Sequence, residues 1–285
     1  VAERGGALDR RAVRARFERA ARSYAGASRL EAEIGARMLE RLDYVKLAPR
    51  RVLDAGCGPG REQRALARRY AGAQLVALDV ALGALRAGGR LARLLRPRRA
   101  LALCADFERL PLAAGCVQLV WSNMALHWAR DPLAVLREFH RVLAGGGLLM
   151  FSTLGPDALA GLRAAAGEAR VHRFADMHDL GDMLVAVGFA APVMDTERLT
   201  VSYPGADRLL GDLRASGQTC ALEARPRGLA GRGFFSALKE GLARQVVGGR
   251  LPVTYEVIYG HAWRAQAARD AEGRAIVRFE RAPRA

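Results

Sequence analysis

Lysine is almost missing from this 285-residue chain: Lys46 and Lys239 are the only two, against 45 basic residues in all. The positive charge is therefore carried by arginine. The net charge of +16 has two readings: an acidic partner, or a composition bias that also shows in the abundant alanine and glycine. Aromatic residues are scarce at 6%, and they form no stacking platform for single-stranded nucleic acid. The four cysteines (Cys57, Cys104, Cys116, Cys220) include no CxxC pair and no metal-ligand spacing. They are expected to serve as small buried hydrophobes in a reducing compartment, not as a disulfide framework. His140, His172, His178 and His261 show no metal spacing either, so no metal site is expected. No apolar run reaches the roughly 18 residues a membrane-spanning helix needs. The N-terminus lacks the apolar centre of a secretory signal, and a cytoplasmic location is expected.

What is present is a 51% hydrophobic chain, long enough to bury a sizeable core. Short apolar runs recur at 51–54, 74–79, 101–106, 117–123 and 147–153, with helical patterns between them. That alternation predicts βαβ units: an α/β fold with a mostly parallel sheet and helices on both faces. Residues 11–42 read as helix, with Val13, Phe17, Ala20 and Tyr24 forming an apolar stripe. A further helix is expected over 176–189, ending near Gly188. Two more strands are expected at 199–203 and 253–261, with a loop and helices in the arginine- and glycine-rich segment between them. The tail beyond Arg264 carries no clear pattern.

The first strand runs into "VLDAGCGPGR", residues 52–61. Glycine three times in five positions, just where a strand should turn into a helix, lets the backbone approach a ligand at the end of an open sheet. The spacing is G-x-G-x-G and not the G-x-G-x-x-G of a pyrophosphate-binding turn. Asp79 closes the second strand in "LVALD", and Asp106, followed by Phe107, opens the turn after the third in "CADFERLPL".

Those elements, in that order, resemble the class I S-adenosylmethionine-dependent methyltransferases. The resemblance implies a Rossmann-like fold with a seven-stranded sheet and S-adenosylmethionine as cofactor. Gly56 and Gly58 would approach its methionine and ribose, Asp79 would take the ribose hydroxyls, and Asp106 would accept from the adenine amino group near Phe107. Asp54 would support the loop, and Asn123 at the end of strand four would complete the cofactor site. After Asp79 the chain reads "VALGAL", where many members have a serine and a later methionine.

Longer strings narrow the resemblance. "ARFERAARSYAGAS", "WSNMALHW", "REFHRVLAGGGLLMFSTLGPDAL", "VHRFADMHDLGDMLVAVGFAAPVMD" and "GRLPVTYEVIYGHAW" are similar to the malonyl-[acyl-carrier protein] O-methyltransferases of biotin biosynthesis, from about residue 10 to residue 264. That resemblance implies one domain over 1–264. Residues 10–45 would be a helical lid, 46–155 the cofactor-binding core and 156–264 the substrate side, with 265–285 as a tail. It also implies malonyl-acyl-carrier protein, an acidic protein, as the partner, and methylation of a carboxylate that is already anionic and needs no general base. Arg173 is the candidate for gripping that carboxylate, since a guanidinium fork bonds it in two places. Tyr24 is the candidate lid residue, and His127 a candidate contact for the acceptor. Arg225, Arg227, Arg232 and the N-terminal arginines are candidates for steering the carrier. Strand four lacks the [DN]-P-P-[YF] grip of amino methyltransferases acting on bases, so no nucleic-acid partner is expected. A small-molecule acceptor such as a quinone, and a role like that of the related complex I assembly factors, both remain open from the sequence.

Overall fold

The computed structural model describes residues 6–87 and 100–266. The expected tail lies almost wholly outside them. Seven strands form one sheet in the order β3-β2-β1-β4-β5-β7-β6. They are β1 (Arg51–Ala55), β2 (Gln74–Asp79), β3 (Ala100–Cys104), β4 (Val117–Ser122), β5 (Leu143–Leu154), β6 (Phe189–Tyr203) and β7 (Leu251–Arg264). Strands β1 to β5 pair in parallel, and β7 runs antiparallel between β5 and β6. The expected mostly parallel, class I methyltransferase-like α/β fold is borne out.

Side chains alternate across the pleat, so each central strand feeds two cores. Val52, Leu119, Trp121, Leu148 and Met150 face one side. Leu53, Val120, Leu149 and Phe151 face the other. The first face is covered by α3 (Arg29–Arg41), α4 (Gln63–Arg69), α7 (Ala160–Ala166), α9 (Ala206–Ala215) and α10 (Arg232–Ala243). The second is covered by α6 (Pro132–Val142) and α8 (Met177–Val187). Helix α6 starts where Asp131 caps the backbone N–H of Ala134 and Pro132 fills the first turn. Helix α8 ends at Gly188, left-handed at φ 99°, as a C-terminal glycine should be.

The stretch expected as one helix over 11–42 is three pieces: α1 (Arg10–Ala20), a single turn α2 (Tyr24–Ala27), and α3. Ser23 and Ser28 flank the short turn, and their competition for backbone groups favours breaks over continuation. The last two strands are much longer than expected, 15 and 14 residues. The cysteine expectation holds only at Cys57, which is buried. Cys104 is exposed at the end of β3, and Cys116 and Cys220 are half-buried.

Candidate active site

The parallel strand order reverses between β1 and β4, the place where open α/β sheets form a crevice at their carboxyl ends. There the glycine turn answers for its composition. Gly56, Gly58 and Gly60 all have positive φ (77°, 53° and 82°), which side chains other than hydrogen adopt at a cost. A Cβ on Gly56 would lie 2.3 Å from the Cβ of Ala125. The N–H groups of Gly56 and Cys57 both donate to Leu78 O, at 2.8 and 3.0 Å. The N–H of Gly58 donates to Asp79 Oδ2 at 2.8 Å.

A cleft opens above this turn, at the place where open α/β sheets hold their ligands. Gly56, Gly58, Asp79, Asp106, Phe107 and Asn123 all line it, and so does Tyr24. Seven residues singled out from separate parts of the sequence are thus brought to one cavity. Asp79 is buried and also accepts from Ala81 N at 2.8 Å. Phe107 packs near Phe139, with ring centroids 6.3 Å apart. Asn123 donates to Glu31 O (2.9 Å) and Glu62 Oε1 (3.2 Å), and accepts from Ser152 Oγ (2.8 Å). Asp54 sits behind the turn, buried, and its Oδ2 has no hydrogen-bond partner among the described residues.

Acid is what distinguishes this pocket. Glu31, Asp54, Glu62 and Asp79 are all buried around it. Burial pushes each carboxyl up from its ordinary range, and for Asp54 the neighbouring Glu62 and Asp79 add to the shift. The Tyr24 hydroxyl is pushed well up too, by burial first and then by Glu31, Glu62 and Asp79, so it stays protonated. These four carboxyls outnumber the nearby Arg10 and Arg61 and are complementary to a positively charged ligand. The orphaned Asp54 oxygen and the open glycine turn fit a nucleoside-bearing sulfonium cation.

The N-terminal helix forms the roof. Arg10, Val13, Phe17 and Tyr24 project into the cleft from one face of α1 and the following turn. Arg10 Nη2 bonds Asp106 Oδ2, and the guanidinium also lies 3.9 Å from Glu108. Farther along, Glu18 Oε1 accepts from Gly83 N at 2.9 Å, tying the helix to α5 (Leu82–Arg86). Arg61, directly after the glycine turn, donates to Ala25 O and Ser28 Oγ, both at 2.9 Å, and pins the Tyr24 turn down. The stripe read from the sequence is therefore the ceiling of a cavity and only partly a core face.

His127 and Arg173 lie elsewhere. Both line a second, larger cavity, together with His172 and Arg163. Trp128 stands between the two cavities, edge-on to Phe17 and to His172 with centroids 4.9 Å away in each case. His127 faces Thr153 Oγ1 at 3.3 Å and the Phe174 ring at 5.6 Å. Burial, with a smaller push from His172, drives its pKa down to about 3. Arg173 is exposed and pairs with Glu168 at 3.0 Å. Of the steering candidates, Arg225 bonds Asp9, the cap of α1, at 3.0 Å, while Arg227 and Arg232 are exposed. Among the described residues no cluster of three metal-ligating side chains occurs, and no helix is long and apolar enough to cross a membrane.

Sequence reasoning missed Glu31, Glu62, Arg10, Arg61 and Trp128. The string "CGPGRE" held Arg61 and Glu62 in plain view beside the turn. Glu31 and Arg10 carried no local signal, because only the folding of α1 and α3 over the sheet edge brings them in.

The comparisons agree with the geometry. A family model described as a methyltransferase domain matches residues 53–151, the stretch from the glycine turn to β5. The YcgJ protein of Bacillus subtilis shares the fold, with a TM-score of 0.61 at 14% identity over 82% of this chain and 99% of that one. So does a phosphoethanolamine N-methyltransferase from Haemonchus contortus crystallised with S-adenosylhomocysteine, with a TM-score of 0.54 at 14% identity over 81% and 52% of the chains. In sequence, the chain is 50% identical to the malonyl-[acyl-carrier protein] O-methyltransferase of Methylovorus sp. (strain MP688), over 91% of this chain and 90% of the relative. It is 46% identical to the protein of the same name from Gallionella capsiferriformans, over 95% and 96%. A likeness of that degree over nearly the whole of each chain places this protein in the malonyl-[acyl-carrier protein] O-methyltransferase family.

Proposed function

We propose that this chain transfers a methyl group from S-adenosylmethionine to the free carboxylate of a malonyl thioester carried on acyl-carrier protein, in the cytoplasm and without a nucleic-acid or membrane partner. The full-length likeness to relatives named for that reaction carries the acceptor. The acidic, glycine-floored cleft independently supports a cationic donor. The donor supplies an electrophilic methyl on a sulfonium.

The chain's own residues bind, orient and exclude water. Asp79 and Asp106 are the acceptors for the donor's ribose hydroxyls and adenine amino group, Gly56 and Gly58 admit its backbone-contacting part, and Phe107 borders the base. Asp54 holds the turn, and Asn123 fixes Glu62 beside it. Taking Asp106 for an amino group requires Arg10 to share or release that carboxylate, so α1 acts as a lid responsive to the donor. Tyr24, protonated above Gly58, closes the roof.

The acceptor carboxylate is anionic near neutral pH and attacks without a base. It approaches past Trp128 from the second cavity, where Arg163 and Arg173 lie. Arg173 is the proposed grip for the non-attacking oxygen, exchanging Glu168 for the substrate. His127, neutral at working pH, offers a hydrogen bond and no charge. Arg225, Arg227 and Arg232 attract the acidic carrier.

The test is incubation with methyl-labelled S-adenosylmethionine and, separately, malonyl-carrier protein, malonyl-CoA and structured RNA. A base-labile label on the malonyl thioester, favouring the carrier form, is the expected result. Label on RNA alone, or none on any acceptor despite donor binding, would overturn the reading.

A further inference from the structure

A third depression, of about 570 Å³, lies between α1, α7, α9 and α10. Its floor is apolar, built from Leu162, Val171, Leu210, Leu213, Phe234 and Leu238. Arg16, Arg170, Arg214, Arg225 and Arg227 line its walls, and no aspartate or glutamate does. Exposed arginines on a solvated face are commonplace. These differ in being held over an apolar floor. Arg170 lies 3.9 Å above the Phe234 ring. Arg16 is half-buried and donates from Nε to Thr219 Oγ1 at 2.8 Å. Arg225 is fixed by Asp9.

Among the described residues, no carboxylate forms an ion pair with Arg16, Arg170, Arg214 or Arg227. Burial and the neighbouring Arg225 charge depress the Arg16 pKa, against a smaller opposing pull from Asp9. Guanidiniums over an apolar floor suit a ligand that carries a phosphate with apolar groups beside it.

The groove also borders the active site. Arg16 directly precedes Phe17, which lines the donor cleft. Gln218, on the groove wall, donates to Glu31 beside that cleft. Val171 of the groove is followed by His172 of the second cavity, edge-on to Trp128. A single layer of side chains separates an anion-binding groove from the place where methyl transfer is proposed.

We infer that this groove receives the phosphorylated prosthetic arm of the acyl carrier: its phosphodiester sits among the arginines, the geminal methyl groups beside the phosphate rest on the leucine and phenylalanine floor, and its amide-linked stem carries the thioester end towards Trp128. The inference rests on the carrier-protein reading above. It adds the arm's phosphate to the role of Arg225 and Arg227, which also attract the acidic carrier.

The test titrates the full chain with 4′-phosphopantetheine and with pantetheine, which differ by the phosphate alone, and with the holo and apo forms of the carrier. Tighter binding of the phosphorylated probe by about tenfold or more is expected, as is tighter binding of holo than apo carrier. Both preferences should fall to near one in R214E/R227E. The milder R214Q/R227Q keeps the test valid if charge reversal disturbs folding. Equal affinity for the two probes, a phosphate preference that survives in the folded variants, or equal binding of holo and apo carrier would overturn the assignment. Methyl transfer to malonyl-carrier protein, measured alongside, separates the two claims. Transfer without phosphate preference refutes the groove and leaves the reaction. Phosphate preference without transfer supports the groove and refutes the reaction.

Discussion

The donor cleft and the arginine groove lie on opposite sides of α1's residues 16–17 and carry opposite charge. The cleft gathers Glu31, Asp54, Glu62 and Asp79, buried and reluctant to ionise. The groove gathers five arginines and no carboxylate. A chain of net charge +16 thus keeps acid where the cationic donor belongs and leaves its excess base where the anionic acceptor arrives. The net charge alone pointed to an acidic partner without saying where it would meet the protein. The contrast between the two regions supplies the place, and it predicts that each can be damaged without the other.

The largest effect should come from D79N. Losing a charged acceptor in a buried site costs about 1.5–3 kcal/mol, so donor affinity should fall by roughly 10- to 100-fold while carrier affinity holds, as read by calorimetric titration of each ligand separately. Loss of carrier binding too would show that the regions are not independent.

The wall between them is next. His172 is buried and accepts from Ala221 N at 2.7 Å. Burial, then the Arg16 charge, lowers its pKa from 6.5 to about 4. Since the folded value lies below the unfolded one, its contribution to stability is whole above about pH 6.5 and is lost as pH falls towards 4. The loss between pH 7.5 and 5 should be about 2 kcal/mol. Denaturant midpoints across that range should fall in the wild type and fall less in H172Q, and parallel curves would contradict the assignment.

Reversal of the groove, R214E/R227E, should raise the Michaelis constant for malonyl-carrier protein about tenfold with donor affinity unchanged, and should flatten its dependence on salt. An unchanged Michaelis constant would remove the groove from the comparison.

The smallest effect is proton release. Carboxyls whose values are raised in the free pocket ionise when a cation enters, so donor affinity should rise with pH. Calorimetry in buffers of different ionisation enthalpy should then report protons leaving. Proton uptake would mean the acids do not face the donor.

Much of this was legible before any coordinates. The turn at 52–61, Asp79 and Asp106 announce themselves because their chemistry is local: each is a short strand ending in a residue type that the strand's end requires. Strands β1, β2, β4 and β5 follow from runs buried on both faces, and β3 from an apolar run although it is a largely exposed edge. The last residues of strand β6 were legible at 199–203, but its first part escaped. Its residues alternate between half-buried and exposed, it contains Pro192, and its pairing shifts register between Ala190 and Val193. The division of one helical pattern into α1, α2 and α3 also went unread, although the break is what sets Tyr24 over Gly58. Glu31 looked like one more surface acid on an amphipathic helix. Only packing of α3 against the glycine turn, through Asn123, Glu62 and Gln218, buries it.

The central claim is that a carboxylate is the methyl acceptor, delivered on a carrier from the side of Trp128 that faces the second cavity. The most direct measurement is single-turnover methyl transfer from labelled S-adenosylmethionine to three carrier-bound thioesters: malonyl, its methyl ester, and acetyl. Rapid transfer to malonyl-carrier alone, giving a base-labile ester, is the predicted result. Label on the acetyl or pre-esterified carrier at a comparable rate, or none on the malonyl form, would contradict it.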